Sequence, residues 1–328
     1  EIIAFVSTLV DKGFAYVSEG DVYFRVAKSN NYAKLANKTL EDLEIGASGR
    51  TDAETDRKED PLDFALWKAA KEGEISWESP WGPGRPGWHI ECSVMATEIL
   101  GDTIDIHGGG ADLEFPHHTN EIAQSEAKTG KTFANYWMHN GFVNVDNEKM
   151  SKSLGNFVTV HDMLKTVDGQ VLRFFLATQQ YRKPINFTEK AIHDAEVNLK
   201  YLKNTHSLPL TEEVSQAELQ AYLDAFQAAM DDDFNTANGV TVLFDMAKWI
   251  NSGNYDETVK DAFEKILQVF GIVFEEETLD EDIEKLIEER QAARANKDFA
   301  TADRIRDELA AQGIKLLDTK EGVRWTRD

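Results

Sequence analysis

Within residues 103–145, strand-like and helix-like segments alternate, a pattern that few folds permit. Residues 103–107 have the apolar, β-branched character of a buried strand, and three glycines follow them. A helix fits residues 116–128, and residues 141–145 have the pattern of another strand. Two strands that are joined through a helix are typical of a parallel sheet, so we predict part of an α/β domain here.

After Val160 the pattern changes to helices. Apolar residues recur at helical spacing in two segments, and two more helices and a small hairpin are predicted near the end of the chain. The helical segments are 192–202, 219–230, 280–295 and 299–311, and the hairpin strands are 314–317 and 323–325. The architecture predicted is half of an α/β domain followed by a helical domain.

The first ninety residues are more irregular. Residues 2–10 follow a helical stripe, and a turn at 18–21 separates two β-rich runs that predict a hairpin. Residues 30–60 are polar and resemble a surface insertion, and residues 77–88 interleave prolines and glycines with tryptophans, which predicts a rigid, non-helical loop. Because the chain opens with Glu1 inside an amphipathic helix, we expect it to be the remainder of a longer protein.

Composition excludes several classes of protein. No apolar run is long enough to span a membrane, no signal peptide opens the chain, and the single cysteine, Cys92, excludes an internal disulfide. We therefore expect a cytoplasmic protein with no membrane partner. The formal net charge of −24 argues against nonspecific binding to nucleic acid. Residues 151–200 and 301–328 are nearly neutral, however, and could meet a phosphate backbone.

Three residues of the kinds that ligate zinc lie close to the α/β segment. Cys92 follows the loop at 77–88, and His117 and Glu121 lie four residues apart on the predicted helix, where they share one face. Thiolate, imidazole and carboxylate all ligate zinc, but zinc is normally four-coordinate and no second cysteine completes the set. The alternative is a core cysteine beside an ordinary helical His–Glu pair.

Other histidines surround these candidates. His118 must face elsewhere if His117 faces a metal, and we expect it to be a hydrogen-bonded histidine on the helix surface. His89 and His107 are ambiguous, and we assign neither a catalytic role.

A short cationic loop follows the strand predicted at 141–145. Residues 149–153 read Lys-Met-Ser-Lys-Ser. Lys149, Lys152 and the two hydroxyls suit a triphosphate, because cationic donors offset the charge that builds up on a leaving pyrophosphate. A polar surface loop is the alternative. In this context, however, the pentapeptide resembles KMSKS, the second signature of class I aminoacyl-tRNA synthetases.

Further motifs narrow this resemblance to one family. Residues 87–93 read Gly-Trp-His-Ile-Glu-Cys-Ser, and residues 107–121 contain His-Gly-Gly-Gly-Ala-Asp-Leu and Phe-Pro-His-His-Thr-Asn-Glu. Residues 231–236 read Asp-Asp-Asp-Phe-Asn-Thr, and residues 322–325 read Gly-Val-Arg-Trp. Together these motifs resemble the bacterial cysteinyl-tRNA synthetases, and the resemblance covers the whole chain.

The resemblance implies an α/β fold: the second half of a class I Rossmann-type nucleotide-binding domain with an insertion, followed by a mostly α-helical anticodon-side domain. It implies a division of the chain into five parts. These are a connective insertion and linker (1–87), the catalytic half-domain (88–160), a stem-contact helical region (161–205), a helical DALR-like domain (206–272) and a small anticodon-binding module (273–328).

The resemblance also implies roles for the residues of the site. Cys92, His117 and Glu121 would be three of the four ligands of one Zn²⁺ per chain, and Trp88 would wall the pocket for the cysteine side chain. Lys149 and Lys152 would be catalytic. The residues implied to bind ATP are Lys149, Met150, Ser151, Lys152, Ser153 and Asp112, the last contacting the ribose or the substrate amine.

The implied activity is cysteine–tRNA ligation by a monomer. Cysteine would be activated with ATP, accompanied by Mg²⁺, and then transferred to tRNA(Cys). A group of basic residues around the last two helices favours a tRNA partner, although ion pairs on a solvated helix face are the alternative. These residues are Arg290, Arg294, Lys297, Arg304 and Arg306.

Two features of the family are missing from this chain. Its first signature, a HIGH-type histidine motif, does not occur, and neither does the fourth zinc ligand, a cysteine. We therefore expect an N-terminally truncated chain that does not form the adenylate at a useful rate alone. Two alternatives share the zinc and KMSKS residues. One is a mycothiol-synthesis ligase that gives cysteine to an amino sugar, and the other is a truncated, non-catalytic tRNA-binding paralogue.

Overall fold

A computed structural model of the chain describes residues 1–38, 57–151, 153–212, 214–274, 281–319 and 322–327. The chain divides into two compact units, Glu1–Ile272 and Val273–Asp328. Most of the insertion expected at 30–60 and Lys152 of the KMSKS loop lie outside the described residues.

An antiparallel sheet forms the first part of the larger unit. Helix α1 (Ile2–Asp11) leads into β1 (Ala15–Ser18) and β2 (Asp21–Phe24), which pair antiparallel and confirm the predicted hairpin. Strands β3 (Phe64–Ala69) and β4 (Gly84–Pro86) extend the sheet in the order β1-β2-β3-β4. The core between the helix and this sheet includes buried aromatic and aliphatic side chains, among them Phe5, Leu9, Phe24, Leu66 and Trp67.

Strand β4 lies inside the segment at 77–88 that was predicted to be a non-helical loop. No helix forms there, as predicted, but the strand was missed. Its pairing with β3 depends on Gly84, because a Cβ there would lie 2.2 Å from Nε1 of Trp67 and 2.4 Å from the carbonyl oxygen of Lys68. A residue without a side chain lets the two backbones approach.

The predicted α/β segment follows. Helix α2 (Ile90–Leu100) precedes β5 (Ile104–Gly110), which continues through the three glycines instead of ending before them. Helix α3 (Thr119–Thr129) connects β5 to β6 (Ala134–Asn140), and the two strands pair in parallel. The parallel α/β prediction is confirmed, but the partner strand is 134–140 and not 141–145.

Residues 141–145 belong to a different sheet. There β7 (Val143–Val145) pairs antiparallel with β8 (Glu148–Lys149) and parallel with β9 (Ile185–Phe187). The strand predicted at 141–145 therefore exists, but it begins the small sheet that leads into the KMSKS loop.

The rest of the larger unit is helical, as predicted. Several of its helices begin at a side chain that accepts a hydrogen bond from the first turn, including Thr159, Asp168, Thr188 and Asp256. The helices are α4 (Val160–Met163), α5 (Gly169–Ala177), α6 (Glu189–His206), α7 (Gln216–Asp231), α8 (Thr236–Asn251) and α9 (Glu257–Val269). Among the described helices of the chain, none has the length and apolar character needed to cross a membrane.

The smaller unit is a helix pair with a hairpin. Helices α10 (Glu281–Ala295) and α11 (Phe299–Ala311) precede β10 (Ile314–Thr319) and β11 (Gly322–Arg327), which pair antiparallel. A core that includes Ile283, Ile287, Ile305, Leu309 and Ile314 holds them together. The predicted helices and terminal hairpin are confirmed.

Candidate functional site

The three predicted metal ligands lie together between α2 and α3. Cys92 is in the first turn of α2, Glu121 is in the first turn of α3, and His117 lies in the turn Glu114–His118 that precedes α3. One sulfur, one imidazole nitrogen and one carboxylate oxygen from these residues all lie within 4.8 Å of one another. His117 and Glu121 are buried, and Cys92 is partly buried.

The carboxylate of Glu121 has an oxygen without a hydrogen bond. Glu121 is only 1% exposed, and its Oε1 lies 2.7 Å from Nε2 of His117. That contact is short but lacks hydrogen-bond geometry, so Oε1 has no hydrogen-bond partner among the described residues. A buried, unpartnered carboxylate oxygen is costly unless a cation meets it. With a sulfur and an imidazole beside it, the donor set fits zinc.

The surroundings of Cys92 disfavour the ionised form of its thiol when no metal is bound. Burial, followed by the negative charges of Glu121 and Glu91, raises the pKa of the Cys92 thiol. A metal ion reverses this situation because its positive charge favours the thiolate, and binding then releases a proton.

Two histidines that were not assigned from the sequence support the candidate ligands. Nε2 of His107 lies 2.8 Å from Oε2 of Glu121, and Nδ1 of His89 lies 2.9 Å from Nδ1 of His117. Hydrogen bonds of this kind orient metal ligands in proteins. The available signal for His107 was its place on a strand of a parallel sheet, whose carboxyl edge is where such folds bind ligands.

His118 is not the helix-surface histidine that was predicted. It is 2% exposed, and its Nδ1 shares a hydrogen bond of 2.8 Å with Nε2 of His139. The prediction was wrong because His118 packs under β5 and β6, in ring contact with His107 and Trp137. Burial lowers the pKa of His118 to about 3 and keeps the pKa of His139 below its usual value, so both imidazoles are neutral at pH 7.

His107, His118 and Glu121 form a second group of nitrogen and oxygen atoms within 4.8 Å of one another. In this group His107 is already bonded to Glu121, and His118 to His139. His107, His118 and Glu121 are therefore part of a hydrogen-bonded network, which shares Glu121 with the candidate ligands Cys92 and His117. Burial also lowers the pKa of His89 to about 4, which keeps this supporting imidazole neutral.

Trp88 lies at the solvent side of these imidazoles. Its side chain is 68% exposed, and its ring centroid is 5.3 Å from that of His117 and 5.4 Å from that of His89. An exposed indole beside the candidate ligands can cover a small molecule bound there.

The KMSKS segment begins at Lys149, the last residue of β8; Lys149 and Ser153 are exposed, and Met150 and Ser151 are partly buried. The backbone N–H of Ser151 donates to Oδ1 of Asn156 at 2.9 Å, and Nδ2 of Asn156 donates to the carbonyl oxygen of Lys149 at 3.3 Å. The hydroxyls of Ser151 and Ser153 are 3.2 Å apart, and the N–H of Met150 donates to the carbonyl oxygen of Val143.

The remaining predicted nucleotide-binding residues differ in their surroundings. Nζ of Lys149 lies 4.0 Å from the centre of the Phe142 ring. Asp112 is exposed, in the short turn Ala111–Leu113 that follows the glycines. Lys152 is outside the described residues.

All four arginines considered for tRNA contact form ion pairs within the smaller unit. Arg290 and Arg294 both contact Asp318, Arg304 contacts Glu308, and Arg306 contacts Asp303. Arg290 is buried. For these four side chains the structure shows the ion pairs that were the alternative to phosphate contacts.

Comparison with known proteins covers most of the chain. Residues 1–197 match the family described as "tRNA synthetases class I (C) catalytic domain". Residues 225–275 match the DALR domain, and residues 276–325 match the "Cysteinyl-tRNA ligase anticodon binding domain".

Individual proteins agree with these matches. The chain is 99% identical over 328 residues to a cysteine–tRNA ligase of Streptococcus thermophilus (strain CNRZ 1066) and 81% identical to one of Streptococcus agalactiae serotype V. All of the chain is covered in both cases, and it spans 73% of each relative's length.

The fold also has solved neighbours. Mycobacterium tuberculosis methionyl-tRNA synthetase in complex with methionyl-adenylate superposes with a TM-score of 0.54 at 15% identity, over 82% of this chain and 69% of that one. This likeness concerns the fold alone, and it agrees with a class I catalytic domain followed by a mostly helical region, as predicted. With the family matches and the high-identity relatives, it leads to one conclusion: the chain belongs to the cysteine–tRNA ligases, within the class I aminoacyl-tRNA synthetases.

Proposed function

We propose that this chain is the zinc-binding and tRNA-binding part of an enzyme that performs the reaction for which its relatives are named, activation of cysteine with ATP and transfer of the cysteinyl group to tRNA(Cys), and that the chain alone does not form the adenylate at a useful rate. The observation that carries the proposal is the close grouping of partly buried Cys92 with buried His117 and Glu121, in which one carboxylate oxygen has no hydrogen-bond partner among the described residues. Such a group is suited to selecting a thiol substrate.

Selection of cysteine would rest on Cys92, His117 and Glu121 as zinc ligands. Zinc held by these residues would favour a substrate thiolate over the hydroxyl of serine, because sulfur is the better ligand. Apolar contacts alone cannot strongly reject an isostere that differs by a hydroxyl. Trp88 would cover the bound side chain from the solvent side.

Activation requires little covalent chemistry from the protein. The carboxylate of cysteine attacks the α-phosphate of ATP, an oxygen–phosphorus bond forms, and pyrophosphate leaves. A hydroxyl at the 3′ end of tRNA(Cys) then attacks the carbonyl carbon and releases AMP. Both steps need alignment and charge stabilisation.

The KMSKS loop would supply that charge stabilisation. Lys149 and Lys152 would oppose the developing charge on pyrophosphate, with Mg²⁺ accompanying ATP. Met150, Ser151 and Ser153 would close over the phosphates, and Asp112 would bind the ribose or the substrate amine. The exposure of Lys149 and Ser153 supports a role in contact with a nucleotide, and hydrogen bonds to Asn156 hold the backbone of the segment.

The helical part of the chain would bind the tRNA. We assign residues 1–87 to a connective insertion and linker, 88–160 to the catalytic half-domain, 161–205 to stem contact, 206–272 to a DALR-like domain and 273–328 to anticodon binding. The enzyme would act in the cytoplasm as a monomer.

The proposal is tested by offering the intact gene product ATP, cysteine, tRNA(Cys) and an amino-sugar acceptor together. Cysteinyl-tRNA as the product supports it, whereas a cysteinyl sugar identifies the mycothiol-type ligase. Retention of zinc and tRNA without transfer to either acceptor identifies a non-catalytic binding protein.

A pair of variants tests the metal-dependent part of the proposal. Glu121→Ala should lose zinc and the preference for cysteine over serine. Glu98→Ala, which removes an exposed carboxylate on α2, should keep both. Unchanged zinc content and selectivity in Glu121→Ala would contradict the metal assignment.

A further inference from the structure

Two buried polar side chains connect the helices that carry the candidate zinc ligands. Ser93 follows Cys92 on α2, and Gln124 lies one turn after Glu121 on α3. Both are fully buried. A thiolate and a carboxylate on separate helices bind one ion only if the helices keep a fixed separation and rotation, so contacts at this point bear directly on the site.

These two side chains make three hydrogen bonds between the helices. Nε2 of Gln124 donates to the carbonyl oxygen of His89 at 2.5 Å and to Oγ of Ser93 at 2.7 Å. The hydroxyl of Ser93 donates to the carbonyl oxygen of Glu121 at 3.3 Å. We call this set the Ser93–Gln124 bridge. The bridge connects Gln124 on α3 with His89 and Ser93 at the start of α2, and it connects Ser93 with the backbone of Glu121, a candidate ligand.

The bridge also reaches the imidazole side of the site. The carbonyl oxygen that Gln124 holds belongs to His89, whose ring contacts His117 at 2.9 Å between the two Nδ1 atoms. The same amide therefore holds the side chain of the residue after Cys92 and the backbone of the residue whose ring contacts His117.

Packing alone does not explain a glutamine at this position. Apolar side chains of both helices, including Ile90, Val94 and Ala123, already belong to the core. Oε1 of Gln124 is buried without a hydrogen-bond partner among the described residues, which reduces stability relative to a satisfied or apolar side chain. Hydrogen bonds, in contrast to apolar contacts, are directional and fix how the helices are rotated and shifted.

We propose that Ser93 and Gln124 are positioning residues that set the separation between the Cys92 thiolate and the Glu121 carboxylate for zinc binding. The inference rests on the proposed function, since it takes these two residues and His117 as the zinc ligands. Neither Ser93 nor Gln124 contacts the ion or the substrate in this arrangement.

Two substitutions test the bridge. Gln124→Met keeps the length of the side chain but removes both donated bonds, and Ser93→Ala removes one hydroxyl. Ser125→Ala is the matched control, because Ser125 is the next residue of α3, is equally buried, and has a hydroxyl without a hydrogen-bond partner in the described part of the chain.

Two measurements separate positioning from general stability. The variants are made in the intact gene product. Their zinc affinity is measured by competition with a chromophoric chelator, and the cobalt-loaded proteins are examined for thiolate-to-cobalt charge-transfer absorption. We expect Gln124→Met and Ser93→Ala to weaken zinc binding by about 10- to 100-fold and to alter that absorption. Ser125→Ala should match the parent chain in both. Circular dichroism of the metal-free variants shows whether they remain folded.

The outcomes also separate this inference from the zinc assignment itself. If Cys92→Ala abolishes zinc binding but Gln124→Met and Ser93→Ala bind as tightly as the parent, with an unchanged cobalt spectrum, the bridge is not a positioning device although the site stands. If the intact gene product binds no zinc, or its Cys92→Ala variant binds zinc equally well, the proposed site fails and the positioning role fails with it. Should Gln124→Met not fold, Ser93→Ala decides.

Discussion

Nε2 of His107 lies 2.8 Å from Oε2 of Glu121, so an imidazole on a strand supports a carboxylate on the neighbouring helix. Oε1, the other oxygen of that carboxylate, has no hydrogen-bond partner among the described residues. The carboxylate is thereby oriented through one oxygen and left available through the other, which is the arrangement that a cation requires.

Replacing His107 should therefore weaken the metal site without removing a candidate ligand. We expect His107→Ala to lower zinc affinity by about 10- to 100-fold, because Glu121 loses the bond that orients it. Equilibrium dialysis against zinc buffers measures the change. His161→Ala, at an exposed histidine outside this network, is the control. Equal affinities of the two variants would show that Glu121 needs no support from His107.

Trp88 should affect binding of the amino acid more than binding of the metal. If its indole covers the substrate side chain, Trp88→Ala weakens cysteine binding by about tenfold or more and leaves zinc affinity intact. Titration of the cobalt-loaded protein with cysteine measures the first, and competition for zinc with a chromophoric chelator measures the second. Trp77→Ala removes another exposed tryptophan of the same segment and should bind cysteine as the parent does. The assignment fails if the two variants behave alike.

A side chain should be less well tolerated at Gly271 than at Gly130, a glycine with nearly the same backbone conformation. Gly271 and Gly130 have φ of +70° and +72°, but only at Gly271 would a Cβ collide with a neighbour, 1.9 Å from Nε of Arg173. Gly130→Ala should lower the free energy of unfolding by about 1–2 kcal/mol, from backbone conformation alone.

Gly271→Ala should cost more than that, because the guanidinium that donates to the carbonyl oxygen of Phe270 must move. Urea denaturation of both variants gives the difference. Equal losses of stability would mean that Arg173 moves aside freely.

The pairing of Arg290 with Asp318 should make the smaller unit sensitive to acid. Two hydrogen bonds of 2.9 Å from Arg290 hold the pKa of Asp318 below its usual value. A carboxyl whose pKa is lowered on folding stabilises the protein above its unfolded pKa, and this contribution is lost as the pH falls through the folded value.

At pH 7, Asp318→Asn should therefore destabilise the unit by about 1–2 kcal/mol, a value reduced because the Asp318 side chain is 40% exposed. The difference from the parent should shrink as the pH is lowered, when both side chains are neutral. Denaturation curves over a pH series measure it. Asp303→Asn removes the exposed partner of Arg306 and should have little effect at any pH. A difference that persists in acid would show that charge is not what Asp318 contributes.

Local patterns in the sequence predicted helices α1, α3, α6, α7, α10 and α11 and both hairpins, because their signals are periodic or lie in a single turn. Helices α4, α5, α8 and α9 fall in the part that was predicted only to be helical, without bounds. Strand β6 was missed because Ala-Asn-Tyr-Trp-Met-His-Asn neither alternates nor is uniformly apolar, and it becomes a strand through pairing with β5. Strand β4 was missed because prolines and glycines obscure it, although Gly84 is what permits its pairing with β3.

For the site, too, local features could be predicted from the sequence, whereas contacts between distant segments could not. His117 and Glu121 could be placed on one face from their spacing, and Cys92 was found by residue type. The burial of His118 could not be predicted, because it depends on the strands that pack over it. Nor could the contacts of His89 and His107, which are distant in sequence from the side chains they support.

The ion pairs of the smaller unit have a consequence for how it would meet RNA. Arg290, Arg294, Arg304 and Arg306 are each matched by an aspartate or glutamate of the same unit, in a chain of formal net charge −24. Each phosphate that a protein neutralises adds about 0.9 to the slope of log affinity against log salt for double-stranded DNA, and about 0.7 for single strands. Arginines that stay paired with carboxylates release few counterions. Association of this unit with an anticodon loop should therefore have a shallow salt dependence and be governed by shape and contacts to the bases.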